Sequence, residues 1–178
     1  MATEIISPSA AGDLTNIDAV TGESTHWEAV KDLNDATFVD QDTTVGDAVD
    51  LYNLGNSGVG AGTINKITVY GRFMTSNTFS EAKFNLIVKS GTTTDESAQG
   101  TYAQAEGFHY ESNEWAVNPD TDSAWTWEEI DSLQAGLRAY RFETKGYQNT
   151  ACYRIYVEVD YEAPPGPPYT KDVDLTFS

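Results

Sequence analysis

One cysteine, Cys152, stands among 178 residues, so no intramolecular disulfide can staple the chain. Its setting, "TACYRIYVEVDYE", has the pattern of a strand, where a lone thiol is a small core-filling side chain rather than a reactive group. No apolar run approaches the ~20 residues that a membrane-spanning helix needs. The opening "MATEIISPSAAGD" has neither the basic nor the apolar region of a secretory signal, so export would require a removed signal or another route. Asn-x-Ser/Thr sequons are missing too, and N-linked glycans of that type are not expected. Basic residues are scarce: Lys plus Arg number 10 against 28 Asp plus Glu, a net charge of −18. Such a surface repels phosphate backbones and excludes ordinary DNA or RNA binding.

Catalytic machinery is equally thin. The two histidines, His26 and His109, lie far apart and fit packing or surface roles better than those of a base or ligand. No glycine-rich phosphate loop, nucleophile elbow or zinc spacing occurs. Among 28 carboxylates any acid pair for glycoside hydrolysis would be an arbitrary choice. The expectation is a protein with no catalytic residue, no cofactor and no metal.

What the chain does have is alternation. In "GTINKITVYGRFM" Ile67, Val69, Gly71 and Phe73 share one face, while Thr68, Tyr70 and Arg72 share the other. "EAKFNLIVKS" turns Ala82, Phe84, Leu86 and Val88 inward, and "YRIYVEVDYE" turns Ile155, Val157, Val159 and Tyr161 inward. Weaker strand patterns lie at Thr3–Ser7, Thr37–Val39, Val49–Leu54, Tyr102–Tyr110, Glu114–Val117 and Leu137–Glu143. Several strands with one polar face predict an all-β, antiparallel sandwich rather than a parallel α/β sheet.

One helix is expected, over about 126–135. "TWEEIDSLQAG" opens with Thr126 as N-cap and Glu129 at the third helical position, a capping box. Glu128, Glu129 and Asp131 suit the positive end of the helix dipole, and Gly136 is placed as a left-handed stop. The segment is expected to plug one end of the sandwich, with Trp125 or Trp127 as anchor.

Two binding possibilities need weighing. Asp35, Asp40, Asp42, Asp47, Asp120 and Asp122 crowd two stretches, but neither has an EF-hand register, and solvated loop charge is the simpler account. Four tryptophans and ten tyrosines could build a sugar-stacking platform, with Trp27 and Trp115 as its candidates.

The stretches "SAAGDLTNI", "DLYNL", "GTINKITVYGR", "NPDTDSAWTWEEIDSLQAGLR" and "YRIYVEVDYE" together resemble a widespread jelly-roll domain of microbial surface proteins and phage or virus structural proteins. The tryptophan-helix-glycine segment is its specific part. The resemblance implies a jelly-roll-like β-sandwich and an exterior or virion setting, and brings no catalytic residues. It spans the chain nearly to Glu162 and leaves residues 163–178 unexplained.

Those last residues divide in two. Pro164, Pro165, Pro167 and Pro168 stiffen residues 163–169 into an extended spacer. Beyond it Val173, Leu175 and Phe177 alternate with Asp174 and Thr176 over Thr170–Ser178, a projecting strand. A strand folding back on its own domain needs only a tight turn, whereas a stiff spacer suits a groove in another copy. The expected organisation is a sandwich over 1–162, a linker over 163–169 and an assembly strand over 170–178. The expected function is a structural subunit of an extracellular, cell-surface or virion filament, a homo-oligomer joined by strand donation. The alternative is a monomeric carbohydrate-binding or adhesive module whose partners are surface glycans.

Overall fold

The computed structural model describes residues 1–41, 46–75, 81–103, 107–141 and 150–164. The alternating segments form the longest strands, because each turns one apolar row inward and leaves the other for polar groups. In chain order the elements are β1 (Ala2–Ile6), β2 (Pro8–Thr15), β3 (Ala19–Thr21), α1 (His26–Val30), β4 (Phe38–Asp40), β5 (Gly46–Leu54), β6 (Thr63–Thr75) and β7 (Glu81–Ser90). There follow β8 (Thr93–Glu96), β9 (Gly100–Ala103), β10 (His109–Trp115), α2 (Trp127–Asp131), β11 (Gln134–Arg141) and β12 (Thr150–Glu162).

Two antiparallel sheets result. One has the order β10-β6-β12-β4-β3, with β1 also paired to β12; the other has the order β2-β5-β11-β7-β8, with β9 also paired to β7. From β4 to β7 each successive strand changes sheet, and from β10 to β12 it does so again. The pairs β4–β12, β5–β11, β6–β10 and β7 with β8 or β9 are nested one inside the next. A long hairpin rolled up on itself has this pairing, so the protein is an antiparallel jelly-roll β-sandwich.

The expected inward rows meet between the layers. Ile67, Val69 and Phe73 from β6, Phe84, Leu86 and Val88 from β7, and Ile155, Val157 and Val159 from β12 are all buried. Val69 lies opposite Val157 and Ile67 opposite Val159 in the β6–β12 ladder. Phe73 and Phe84 stack across the two sheets with centroids 3.8 Å apart. Cys152 is buried and free, and burial pushes its thiol well above the ordinary range.

Several local expectations need correction. Among the described residues there are two short helices, not one. In α1 the buried Ala29 and Val30 face the core, and this short turn of helix was masked by its acidic neighbours in sequence. The capping box at α2 forms as expected: the Glu129 amide donates to Thr126 Oγ1 at 3.3 Å, and the Thr126 amide donates to Glu129 Oε2 at 2.8 Å. That helix ends at Asp131 with Ser132 as C-cap, because from Gln134 the backbone is already paired with β5 and β7. Gly136 is therefore a strand residue, pressed so near β5 that a Cβ would overlap the Asp50 carbonyl oxygen. The expected strand at Tyr102–Tyr110 is two strands, β9 and β10, in different sheets. Glu114 and Trp115 end β10, so Glu114–Val117 is no separate strand. Short β2, β3 and β8 lack long apolar alternation and gave no clear signal.

Candidate functional site at an open seam of the sandwich

A jelly roll has two long sides where the edges of its sheets approach each other. On one side, α1 packs against β2, β3 and β4 and closes the gap. Its entry is tied down by Asp50, whose side chain has 0 % exposure. Asp50 Oδ1 accepts the amides of Asn16 and Ile17 at 2.8 and 3.0 Å, and Oδ2 accepts the Tyr52 hydroxyl at 3.0 Å. The fourth partner is His26, with Nδ1 2.6 Å from Oδ2. This hydrogen bond raises the His26 pKa against the opposing effect of burial. His26 is thus a half-buried positioning group, a role its acid-rich sequence neighbourhood did not reveal.

The opposite side, between β10 and the pair β8–β9, has no helix among the described residues. It is pinned at both ends. Trp115 Nε1 donates to Asp95 Oδ2 at 2.7 Å, joining β10 to β8. At the other end the Tyr102 ring of β9 stacks on His109 of β10 with centroids 3.9 Å apart. Burial, and then the Glu111 carboxylate, push the Tyr102 hydroxyl up, which keeps it protonated. Between the pins lies a pocket of about 200 Å³. Phe84 and Leu86 line it from the core, and Ala98, Gly100, Glu111 and Asn113 stand around them. Gly100 is required there, since a Cβ would run into the Phe84 ring. Ser97 bridges the interval between β8 and β9: the Leu86 amide donates to Ser97 Oγ at 2.9 Å, and the Ser97 amide donates to the Leu86 carbonyl at 2.9 Å.

Sheet edges decide what can reach this pocket. Among the described residues β10 pairs with β6 alone, so its other side is an edge of the sheet. Its side chains alternate: Glu111, Asn113 and Trp115 turn inward, while Tyr110, Ser112 and Glu114 are exposed. Tyr110 is 65 % exposed.

Behind Tyr110 the outer face of the β6–β12 sheet carries a cross-strand aromatic ladder. Tyr70 and Tyr156 stack at 4.8 Å with 6° between the rings, and Arg154 covers Tyr156 at 4.4 Å. Arg72 lies 3.4 Å from the Phe108 ring centroid and forms an ion pair with Asp35. These rings spend their faces on one another and on guanidinium groups, as cross-strand pairs do. Sequence had placed Tyr70, Arg72 and Arg154 outward, but a one-strand pattern cannot show which neighbours they meet.

The tryptophans take other places than a platform. Trp115 is buried at the seam, and Trp27 packs against the core beneath Lys31. Trp125 Nε1 donates to the Trp115 carbonyl at 3.0 Å, and Trp127 Nε1 to the Gly62 carbonyl at 3.1 Å, so both anchor α2. Asp120 accepts Thr93 Oγ1 at 2.6 Å, and no group of three His, Cys, Asp or Glu side chains suited to a metal occurs among the described residues. Asp42 lies outside the described residues. So do the expected assembly residues Val173, Leu175 and Phe177 and the linker residues Pro165, Pro167 and Pro168. Pro164 is described and exposed, just past the end of β12.

No protein-family model matches the chain, and no curated protein does. Solved structures with similar strand layers include a xylan-binding domain from Paenibacillus barcinonensis, at 10 % identity and a TM-score of 0.47 over 88 % of each chain. The enzymatically active domain of a tailspike protein from bacteriophage CBA120 matches at 10 % identity and a TM-score of 0.41, over 87 % of this chain and 19 % of that one. The structure of Broad Bean Stain Virus matches at 11 % identity and a TM-score of 0.36, over 71 % of this chain and 87 % of that one. Likeness at this level carries no argument about activity. The architecture stands on the chain's own pairing: an antiparallel jelly-roll β-sandwich.

Proposed function

We propose that this protein is a non-enzymatic structural subunit that polymerises by donating its C-terminal strand, Thr170–Ser178, to a neighbouring copy. The organisation is a sandwich over 1–162, a linker over 163–169 and a donor strand over 170–178, and the setting is a filament at a cell surface or in a virion. One observation carries this. Among the described residues the nested strand pairs of the jelly roll are all supplied by residues up to Glu162, so a strand formed by the period-two sequence at Val173, Leu175 and Phe177 would be surplus to them. Four prolines between Pro164 and Pro168 favour an extended spacer of ~3 Å per residue, which suits reach between copies. Donor and acceptor surfaces differ, so the contact is heterologous, and one that does not close into a ring grows as a filament. Burying Val, Leu and Phe side chains contributes roughly 1.5–3 kcal/mol each before ordering costs, enough with strand hydrogen bonds to hold a subunit.

Electron microscopy of the chain lacking Lys171–Ser178 tests this. The expected result is a folded subunit with no filaments; normal filaments from the shortened chain reject strand donation. A monomeric glycan-binding module is the second reading, favoured by the exposed Tyr110 beside the Tyr70–Tyr156 ladder. Calorimetric titration with neutral β-glucans decides it: saturable heat lost in Tyr110→Ala supports glycan binding, and no heat rejects it for those glycans.

A further inference from the structure

Strand donation needs an acceptor, and the two sides of the sandwich are not equivalent. The side covered by α1 is filled, and the Asp50 cluster ties it shut. The side between β10 and β8–β9 combines three features. It has a strand edge in β10, seven residues long. It has a pocket of about 200 Å³ with Phe84 and Leu86 behind it. It has an exposed tyrosine, Tyr110, on the outer side of the same edge. A strand laid along β10 would present alternate side chains to the pocket and to the outer face.

Resting on the strand-donation reading, we infer that the acceptor is this seam: Thr170–Ser178 of a second copy lies antiparallel or parallel along β10 and inserts the Phe177 ring between the sheets. The sizes agree. Seven strand residues span roughly 23 Å and nine span roughly 30 Å, so the donor covers the whole edge. A dry cavity of about 150 Å³ holds a benzene molecule, so the pocket accommodates one aromatic ring, and Phe177 is the only ring in the period-two row. The donor's pattern matches the seam's two faces. Phe177 meets Phe84 and Leu86, Val173 and Leu175 share its inward side of the edge with Glu111 and Asn113, and Asp174 and Thr176 stay on the wet side beside Tyr110 and Ser112. An aromatic stack already leads there: Phe73 on Phe84 at 3.8 Å, Phe84 on Tyr102 at 5.3 Å and Tyr102 on His109 at 3.9 Å. Donation also pairs a sheet edge that the described residues of the single subunit leave open.

Full-length variants test the assignment. Ala98→Trp places a large side chain at the exposed rim of the pocket, and Ser9→Trp does the same on β2, the far edge of the other sheet. With the seam as acceptor, Ala98→Trp stays folded by circular dichroism and raises the critical concentration for filaments about tenfold or more, as loss of a buried anchor does. Ser9→Trp leaves it unchanged. If Phe177→Asp abolishes filaments while Ala98→Trp assembles normally, the seam is the wrong acceptor and strand donation stands. If Phe177→Asp assembles normally, strand donation itself fails. Should Ala98→Trp not fold, paired cysteines decide. Ser112→Cys combined with Asp174→Cys or Thr176→Cys gives a ladder of covalent multimers on mild oxidation, and Ser9→Cys with the same partners gives none. The reverse pattern overturns the assignment. The buried Cys152 does not compete in this experiment.

Discussion

Asp50 shows how much one side chain can organise. Its carboxylate is fully buried yet accepts two backbone amides, a tyrosine hydroxyl and a histidine, from three separate segments. Removing it leaves those donors without acceptors, so Asp50→Ala should cost about 3–5 kcal/mol in chemical denaturation; a loss under about 1 kcal/mol rejects the network as a stabilising unit. The His26 arm has a defined pH dependence. The folded His26 pKa is raised above its unfolded value near 6.5 by the hydrogen bond to Asp50. Its stabilisation is fully present below about 6.5 and is lost as pH rises through the higher folded value. Melting temperature should therefore fall as pH rises above about 6.5 in the parent chain and fall less in His26→Gln, and parallel curves exclude the linkage. Cys152 should resist thiol reagents until the chain is denatured, since burial raises its thiol pKa and blocks access.

At the scale of elements, α2 and β11 divide labour within a few residues. The helix depends on its cap: Thr126→Ala removes the acceptor for the Glu129 amide and should cost about 0.5–2 kcal/mol without altering assembly. Gly136, a few positions on, depends on close strand approach. A Cβ there overlaps the Asp50 carbonyl, and the central strands β5 and β11 must separate to admit it. Gly136→Ala should destabilise more than Thr126→Ala in matched urea titrations. The opposite order would mean that β11 moves freely, against its pairing on both sides with β5 and β7.

The whole molecule carries a net charge of −18, and any assembly must bring such subunits together. The rim of the seam adds Glu111 and Glu114, and the donor strand adds Asp172 and Asp174 against one Lys171. Repulsion between copies is long-ranged at about 0.01 M salt, where the screening length is about 30 Å, and short at about 0.15 M, where it is about 8 Å. Filament yield should rise with sodium chloride over that range while the apolar contact is retained. Filaments that dissolve as salt rises would point to ion pairs rather than an apolar strand as the joint.

Period-two apolar rows were readable without a structure, because alternation is a property of a strand by itself. Ile67, Val69 and Phe73, and Ile155, Val157 and Val159, face inward as their spacing requires, and Thr126 with Glu129 forms its cap as a local motif. Pairing order is not local. Nothing in the run from Tyr102 to Tyr110 tells that Tyr102 and Tyr110 belong to opposite sheets, yet that crossing creates the seam. His26 and Asp50 are 24 residues apart, and Asp95 and Trp115 are 20, so their contacts exist only once distant strands are laid side by side. Gly136 has the sequence context of a helix stop, and the approach of β5 made it a strand residue instead. Sequence determined which faces are apolar; the three-dimensional closure of the roll determined which edges remain open, because edges are defined by neighbours that lie far along the chain.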